Sequence, residues 1–392
     1  TLRPDVGTEV TGSVAVMAAP PLAVGIGVGT QPPIGRTTAA LRAARTAGFD
    51  SAWVVDHFLG FFPRELWTPS FTWLARGGGS PHAYFDWQVL AGHLAARAGT
   101  MQLAIGVTEP IRRHPVLLAQ AALTLSHLTK RPPILGIGAG ERENVEPYGL
   151  SFDRPVSRLE EALAIVRTCF ESEGPFEFHG EFWDLPDAMM DLRAGAGRTP
   201  EIWVAAHGPR MLRLTGEYGD GWYPTMPMRP QQYADSLAAI TAAASAAGRA
   251  PGAVTPGMQV SVVVGRTEAR ARALLAHPAI RFLGLLLPAS VWAEEGLDHP
   301  FGADFGGMVD FIPHRMPPQD VRDAIESVDV DFLADRVVWG DRQRVERALR
   351  DLADAGLRHV VLQPASGLAS RSDAVFTVRS LAAIRRRLAE PA

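Results

Sequence analysis

Residues 134–149 read ILGIGAGERENVEPYG, and this stretch decides the expected fold. Its first four residues form an apolar run that is typical of a strand buried on both faces in a parallel sheet. The run breaks into a Gly-Ala-Gly turn and then supplies Glu141 and Asn144. In a barrel of parallel strands, the loops after the carboxyl ends of the strands build the active site. The stretch therefore predicts a catalytic loop that carries a carboxylate and an amide.

Predicted strands and helices alternate along the chain, which indicates an α/β fold of the (β/α)8 TIM-barrel type. We predict strands over 22–26, 52–55, 102–105, 134–137, 202–205, 221–223, 258–264 and 360–362. We predict helices over 37–47, 86–98, 115–128, 155–170, 209–217, 231–247, 268–276 and 342–355. Insertions follow strands two, four and seven, at about 58–84, 173–187 and 281–341. We expect one barrel domain over 21–392 and a disordered leader over 1–20.

Composition narrows the class of protein. The 392 residues carry a formal net charge of −4 with 20% charged residues, so no basic footprint for nucleic acid is expected. No apolar run is long enough to span a bilayer. Cys169 is the only cysteine, which fits a reducing cytoplasm. The only lysine, Lys130, precedes a strand on the side away from the catalytic face, which disfavours Schiff-base chemistry.

Polar groups follow three further strands. Asp56 and His57 end the second strand, where they could bind a polar heterocycle and move a proton. Gly106 ends the third strand, where glycine allows a bulge or close backbone approach, and Thr108 adds a hydrogen-bond donor. Residues 205–208 lead from the fifth strand into a helix, whose free N–H groups suit a phosphate.

Two other kinds of site are disfavoured. Gly25, Gly27 and Gly29 imitate a nicotinamide-binding Rossmann motif, but the spacing is GxGxG and a Gln-Pro-Pro segment separates it from the helix. The eleven histidines are scattered and no HExxH motif is present, so we predict no metal.

Taken together, the motifs resemble the luciferase-like superfamily of flavin and deazaflavin enzymes. The resemblance lies in 56–58, 106–115, 136–149 and 200–213. Within the superfamily the chain is similar to the reductases that depend on coenzyme F420, and among these to the phthiodiolone dimycocerosate ketoreductases. That last likeness depends on GERENVEPYG (140–149), HPFGADF (299–305) and DFIP (310–313).

The resemblance implies roles for individual residues. Asp56 would hold the deazaflavin head group, Thr108 and Asn144 would line its site, and Gly106–Val107 would form a cis peptide that backs the ring. The cofactor phosphate would lie against Ala205, Ala206, His207 and Gly208. The negatively charged cofactor tail would leave along a groove lined by arginines, for which the candidates are Arg112, Arg113, Arg142 and Arg210.

The expected function is hydride transfer from reduced F420 to a ketone or similar electrophile. Glu141 is the first candidate for the proton donor, because burial can keep a carboxyl protonated near neutral pH, and His57 is the second. The aromatic insertion suggests an apolar, lipid-like substrate, which we expect to contact Phe61, Trp67, Trp73 and Trp222. An FMN-dependent monooxygenase and a non-catalytic carrier of F420 or lipid are the alternatives, and the resemblance implies a homodimer.

Overall fold

The computed structural model describes residues 21–389, so the predicted leader at 1–20 lies outside the described residues. The strands are β1 (Ala23–Gly27), β2 (Ser51–Val54), β3 (Gln102–Thr108), β4 (Ile134–Ile137), β5 (Phe176–His179), β6 (Asp184–Ala188), β7 (Glu201–Val204), β8 (Gly221–Trp222), β9 (Thr255–Val264), β10 (Val338–Gly340) and β11 (His359–Pro364). Eight of them close a parallel barrel in the order β1-β2-β3-β4-β7-β8-β9-β11, and β11 returns to β1. The predicted barrel is confirmed.

Helices follow the barrel strands on the outside. They are α1 (Ile34–Ala47), α2 (Trp87–Ala98), α3 (Pro115–Leu128), α4 (Pro155–Glu171), α5 (Pro209–Tyr218), α6 (Pro230–Ala246), α7 (Glu268–Leu275), α8 (Pro278–Leu285), α9 (Ala289–Ala293), α10 (Pro318–Ser327), α11 (Val330–Ala334), α12 (Arg342–Asp354) and α13 (Arg371–Leu388). Most of these helices begin with a proline or with a side chain that accepts from a backbone N–H of the first turn. Because the N–H groups of the first turn have no partner within the helix, a proline there costs no hydrogen bond. The eight predicted helices all form, with ends shifted by at most three residues.

Strand β10, the last helix and the helices α8 to α11 of the third insertion were not predicted. Strand β10 pairs with the carboxyl-terminal end of β9 and makes the sheet nine-stranded. Its three residues, Val-Trp-Gly, are too few to show a period in the sequence. The last helix, α13, was also missed, although Ser370 caps it by accepting from the Asp373 N–H.

Aromatic side chains fill the barrel interior. Trp53 stacks on Tyr223 with ring centroids 4.3 Å apart, and Trp203 meets Trp53 edge-on at 5.5 Å. All three are buried. A Cβ at Gly221 would lie 2.3 Å from the Trp203 ring, so only glycine leaves room for this indole. The lower part of the barrel is therefore a packed plug, and free space is left only towards the carboxyl ends of the strands.

The insertions lie where they were predicted. The segment after β2 contains short helical turns at Arg64–Leu66 and Trp73–Gly77. The segment after α4 forms the expected hairpin, in which β5 and β6 pair antiparallel. The third insertion carries α8 to α11 and builds a second hydrophobic core.

The second core is continuous with the barrel. Phe282 of α8 packs against Phe62 of the first insertion at 4.7 Å and against Phe311 at 5.4 Å. The same cluster includes Val263 of β9 and Ala365 after β11. Since the insertion shares buried contacts with barrel strands, we expect it to unfold together with them. Among the helices of residues 21–389, none has the length and apolarity that crossing a membrane requires.

Replacing Leu285 by alanine tests the second core. The Leu285 side chain is fully buried, so Leu285→Ala is expected to lower the free energy of unfolding by about 2–5 kcal/mol. The matched control is Leu150→Ala in the loop before α4, where the leucine is 40% exposed and the change is expected to be within about 0.5 kcal/mol. Thermal or urea unfolding measures both. A separate transition for the insertion in Leu285→Ala, with the main transition unchanged, would contradict shared unfolding.

Candidate active site

A cavity of about 370 Å³ lies at the mouth of the barrel. Most of the residues predicted for the site line it: Asp56, His57, Phe61, Gly106, Val107, Thr108, Glu141, Asn144, Ala205 and His207. They come from the loops after β2, β3, β4 and β7, whose carboxyl ends meet there. The third insertion covers one side of the cavity through Gly306, Met308 and Val309.

The cavity has one wall of small residues. The Gly106–Val107 peptide is cis, as predicted, and the pairing of β3 with β4 shifts between Ile105 and Thr108. A Cβ at Gly138 would lie 3.3 Å from Val107 Cγ2 and 3.4 Å from the Ala205 Cβ. Val107, Gly138 and Ala205 therefore lie close together and form a surface without large side chains, which we call the small-residue wall. A surface of this kind suits a planar ring.

An acid–imidazole cluster stands beside the cavity. His57 Nδ1 lies 3.0 Å from Glu143 Oε1 and 3.1 Å from the Leu59 carbonyl oxygen. Because a carbonyl oxygen can only accept, we assign the ring proton to Nδ1, which leaves Nε2 as the acceptor. His57 Nδ1 is also 3.8 Å from Glu141 Oε2. The two carboxyl groups and the imidazole therefore form one interacting set.

Asn144 holds this cluster together. Its side-chain oxygen accepts from the Phe58 N–H at 2.7 Å, and its side-chain nitrogen donates to Glu143 at 3.2 Å and to Glu141 at 3.4 Å. Asn144 is itself buried. One amide thus fixes the loop after β4 to the loop after β2.

Glu141 is the carboxyl group of the cluster that lines the cavity. Burial raises its pKa to about 7, the nearby His57 opposes that rise, and Glu143 adds to it. At neutral pH this group is therefore divided between acid and carboxylate, as a proton donor requires.

Glu143 is a functional candidate that the sequence interpretation missed. Its side chain is fully buried, and burial raises its pKa well above the ordinary value. Its Oε2 has no hydrogen-bond partner among the described residues. A neutral carboxyl whose Oε1 accepts from His57 and from the Asn144 amide accounts for the contacts on Oε1. The signal was present, since Glu-Arg-Glu-Asn follows a buried strand, but residue spacing does not show which glutamate faces inward.

Asp56 lines the cavity and lies within a polar network. Its carboxylate accepts from the Thr108 hydroxyl at 2.7 Å and from Arg113 at 3.2 Å, and it lies 3.2 Å from Arg112. The group is buried and surrounded by these partners. Although it lines the cavity, it positions Thr108 and the two arginines.

The four arginines expected to line a groove for the cofactor tail are each paired with a carboxylate. Arg112 and Arg113 pair with Asp56, and Arg210 pairs with Glu160. Arg142 bonds Asp310 at 2.8 Å and also pairs with Glu146, which in turn accepts from Arg315. These last pairs tie the loop after β4 to the third insertion.

His207 lies in the cavity wall as a neutral ring. Burial lowers its pKa to about 4, and its Nε2 accepts from the Thr225 N–H at 3.2 Å and the Met226 N–H at 3.4 Å. It therefore positions the segment after β8. Ala206 is buried outside the cavity, and the exposed Gly208 stands at the start of α5.

Three of the four predicted substrate contacts do not line the cavity. Trp222 is fully buried, donates to the Ala206 carbonyl oxygen and stacks on Tyr233, so it faces the helices outside the barrel. Trp67 packs on Phe62, and the Trp73 indole donates to the Gly367 carbonyl oxygen. None of the three lines the cavity, whereas Phe61 does.

Three further cavity residues were missed. Gln259 and Gln363 reach the cavity from β9 and β11, and the Gln363 amide donates to Gln259 at 3.2 Å. The Tyr84 ring lies 5.6 Å from His57, and burial raises its pKa. In sequence, a glutamine inside a strand resembles any solvent-facing polar residue.

The cluster also brings together groups that can bind metal. Ligand atoms of His57, Glu141 and Glu143 lie within 4.8 Å of one another. The prediction of no metal was based on motif spacing, which cannot detect a group contributed by two separate loops. The raised pKa values of both carboxyls indicate that protons compete for the same oxygen atoms.

The structure is a closed (β/α)8 barrel with a ligand cavity and an acid–imidazole pair at its mouth. It therefore belongs to the class of (β/α)8-barrel proteins whose ligand site lies at the carboxyl ends of the strands. The sequence profile of the luciferase-like monooxygenase family matches residues 14–359. The chain belongs to this family, as the motifs predicted.

Curated relatives are oxidoreductases by name. The phthiodiolone/phenolphthiodiolone dimycocerosates ketoreductase of Mycobacterium tuberculosis is 38% identical over 334 residues, which are 84% of this chain and 88% of the relative. The F420-dependent hydroxymycolic acid dehydrogenase of the same species is 33% identical over 243 residues, 61% of each chain.

Solved structures share the fold. An F420-dependent secondary alcohol dehydrogenase in complex with an F420–acetone adduct superposes with a TM-score of 0.73 at 18% identity, covering 94% of this chain and 99% of that one. The F420-dependent tetrahydromethanopterin reductase of Methanopyrus kandleri gives 0.70 at 20% identity, covering 92% and 97%.

The buried carboxyl of Glu143 predicts a pH-dependent stability. Folding raises the pKa of Glu143 above 4.5, so the neutral carboxyl makes its full contribution to the free energy of unfolding below pH 4.5. This contribution is lost as the pH rises towards the pKa of the folded state. Glu143→Gln keeps the shape and cannot ionise. The melting temperature of Glu143→Gln minus that of wild type is therefore expected to become more positive as the pH rises above 4.5. Circular-dichroism melts over a pH series measure the difference, and parallel curves would contradict a neutral Glu143.

Proposed function

We propose that this chain is an F420-dependent oxidoreductase that transfers a hydride from reduced F420 to the carbonyl carbon of an apolar, lipid-like ketone. The names of its relatives support the cofactor and the reaction class. The observation that carries the proposal is Glu141, a cavity-lining carboxyl with a pKa of about 7 beside His57. A ketone reduction needs a group of this kind, because the oxygen atom must receive a proton.

The residues of the cavity fit a tricyclic deazaflavin. The small-residue wall leaves room for the ring, and Gln259 and Gln363 offer amide groups to a polar edge. The first turn of α5 begins at Gly208 without a side-chain cap, so its N–H groups could receive the cofactor phosphate. Phe61 lines the cavity as an apolar contact for the substrate.

When bound, reduced F420 supplies the hydride. The carbonyl carbon gains the hydride and the carbonyl oxygen gains a proton from Glu141, so a ketone becomes a secondary alcohol. His57 and Asn144 hold Glu141 at the cavity, and the buried Glu143 orients His57 through Nδ1. The surrounding protein limits access of water to Glu141, which favours its acid form.

The alternatives remain distinguishable by experiment. The family includes monooxygenases by name, and the barrel superposes on a Streptomyces bottropensis monooxygenase with a TM-score of 0.61 at 19% identity. Titration with F420 and with FMN, followed by absorbance, is expected to show saturable binding of F420 and none of FMN. The reverse would favour the monooxygenase. Tight F420 binding without turnover of any carbonyl compound would favour a carrier.

The proposal extends to assembly and location. We propose a homodimer, because Val89 on α2 and Leu117 and Leu128 on α3 are all more than half exposed on neighbouring helices. Gel filtration with light scattering tests it.

We propose a cytoplasmic location from the single cysteine, Cys169, which is buried and free.

Glu141→Gln tests the proton donor. Loss of a general acid is expected to lower kcat by about 10²–10⁴-fold. For wild type, kcat/KM for ketone reduction is expected to be constant below pH 7 and to fall about tenfold per pH unit above it, because only the acid form donates. The variant should lose this dependence. The control is Glu217→Gln, whose carboxylate pairs with Arg213 on α5.

The assignment can fail in a defined way. If Glu141→Gln and His57→Ala both bind F420 and both keep wild-type turnover, neither residue supplies the proton, and the donor lies elsewhere.

A further inference from the structure

A second cavity adjoins the first. It has a volume of about 320 Å³ and shares six lining residues with the cavity at the barrel mouth: Phe61, Thr225, Met226, Gln259, Met308 and Gln363. We call this second cavity the side chamber. Since the two spaces have these walls in common, a ligand in one can extend into the other.

The side chamber lies at a gap in the barrel wall. Strand β8 pairs with β9 at Thr255 and Pro256, and β10 pairs with the same edge from Val262 onward. Between these points, the links we find within the described residues both go to Gln259: its N–H donates to the Pro224 carbonyl oxygen, and its side-chain oxygen accepts from the Tyr223 hydroxyl at 2.8 Å. Residues 258–261 line the side chamber at this gap.

The chemistry of the side chamber is that of an aliphatic site. Its lining comes from Met226 and Met228 after β8, from Leu283 and Leu286 in and after α8, and from Leu333 of α11. Among its described lining residues, charge is confined to Asp335 and Arg336, and Glu295 accepts from Arg336 at 2.6 Å. Methionine side chains adapt to flexible apolar ligands.

The side chamber does not end in the core. Asp335 lines it and is exposed, so the lining of the chamber reaches the protein surface at this residue. A chain longer than the chamber could therefore continue outward through the wall.

We propose that the side chamber binds the aliphatic chain of the substrate while the carbonyl group lies at Glu141 in the neighbouring cavity. The inference depends on the proposed function and adds the path of the chain: it passes between β8 and β10, through the wall of the barrel. The ligand class is then a long-chain ketone with at least one unbranched alkyl arm.

A series of methyl ketones from butanone to dodecan-2-one tests this path. Each methylene buried in an apolar site is expected to raise kcat/KM about fourfold, until the chamber is filled. The same series measured by calorimetry, with oxidised F420 present, is expected to show a parallel decrease in Kd. This second measurement does not require turnover.

Met228→Trp is designed to fill the side chamber. Met228 lines the chamber and does not line the cavity at the barrel mouth. The variant is expected to reduce the gain per methylene to less than about 1.5-fold, in kcat/KM and in Kd alike, against about fourfold for wild type. Met189→Trp, at a 58% exposed position after β6, makes the same change elsewhere and should keep the wild-type series. Leu283→Trp is the second variant if Met228→Trp does not fold.

The outcomes separate the two proposals. If short and long ketones are reduced with equal kcat/KM by wild type, or if both chamber variants keep the full chain-length gain, the side chamber is not the chain site, and the proposed function stands. If no ketone is reduced and none binds, the proposed function and this inference both fail. Long-chain binding that Met228→Trp removes supports the chamber even where turnover is slow.

Discussion

The site depends on one constraint: two loops that follow different strands are locked together below the surface by Asn144. Its amide accepts from the backbone at Phe58 and donates to Glu143, so the loops after β2 and β4 cannot move independently. A buried amide with both ends satisfied is costly to disrupt, since each unpaired polar group would remain without water. The placement of His57 beside Glu141 follows from this lock.

The barrel could be predicted from the chain because its signals are local. The run at Ile134–Ile137 forms the strand expected, since four buried residues bounded by prolines and glycines allow few other structures. Residues at the carboxyl ends of these strands then had to meet, and His57, Thr108, Glu141 and Asn144 do so. The direction in which each side chain of a loop points could not be predicted. Glu141 and Glu143 are two residues apart on a loop that bends at Gly140, and the backbone alone decides which one meets the cavity.

The direction of side chains also explains why some residues lie in surroundings that differ from those expected. Aromatic residues near the mouth were expected to meet the substrate, but Trp222 packs outward on Tyr233 because successive residues of a strand face opposite sides of the barrel wall. Asp56 is an acid at a strand end, as a ligand-binding residue would be, and yet it is surrounded by arginines that come from the next loop. Strand β10 was missed for a further reason, because it is defined by its partner β9 rather than by a pattern of its own.

The polar links between the third insertion and the barrel loop, Arg142 with Asp310 and Arg315 with Glu146, are only partly shielded from solvent. Half-exposed pairs of this kind contribute little to stability and are weakened by salt. The proton-handling cluster does not draw on them, since its contacts come from barrel loops alone. The third insertion and the proton-handling cluster can therefore change independently of each other during evolution. Substitutions within residues 281–341 can alter which molecules are accepted without changing the contacts that hold Glu141, His57 and Glu143.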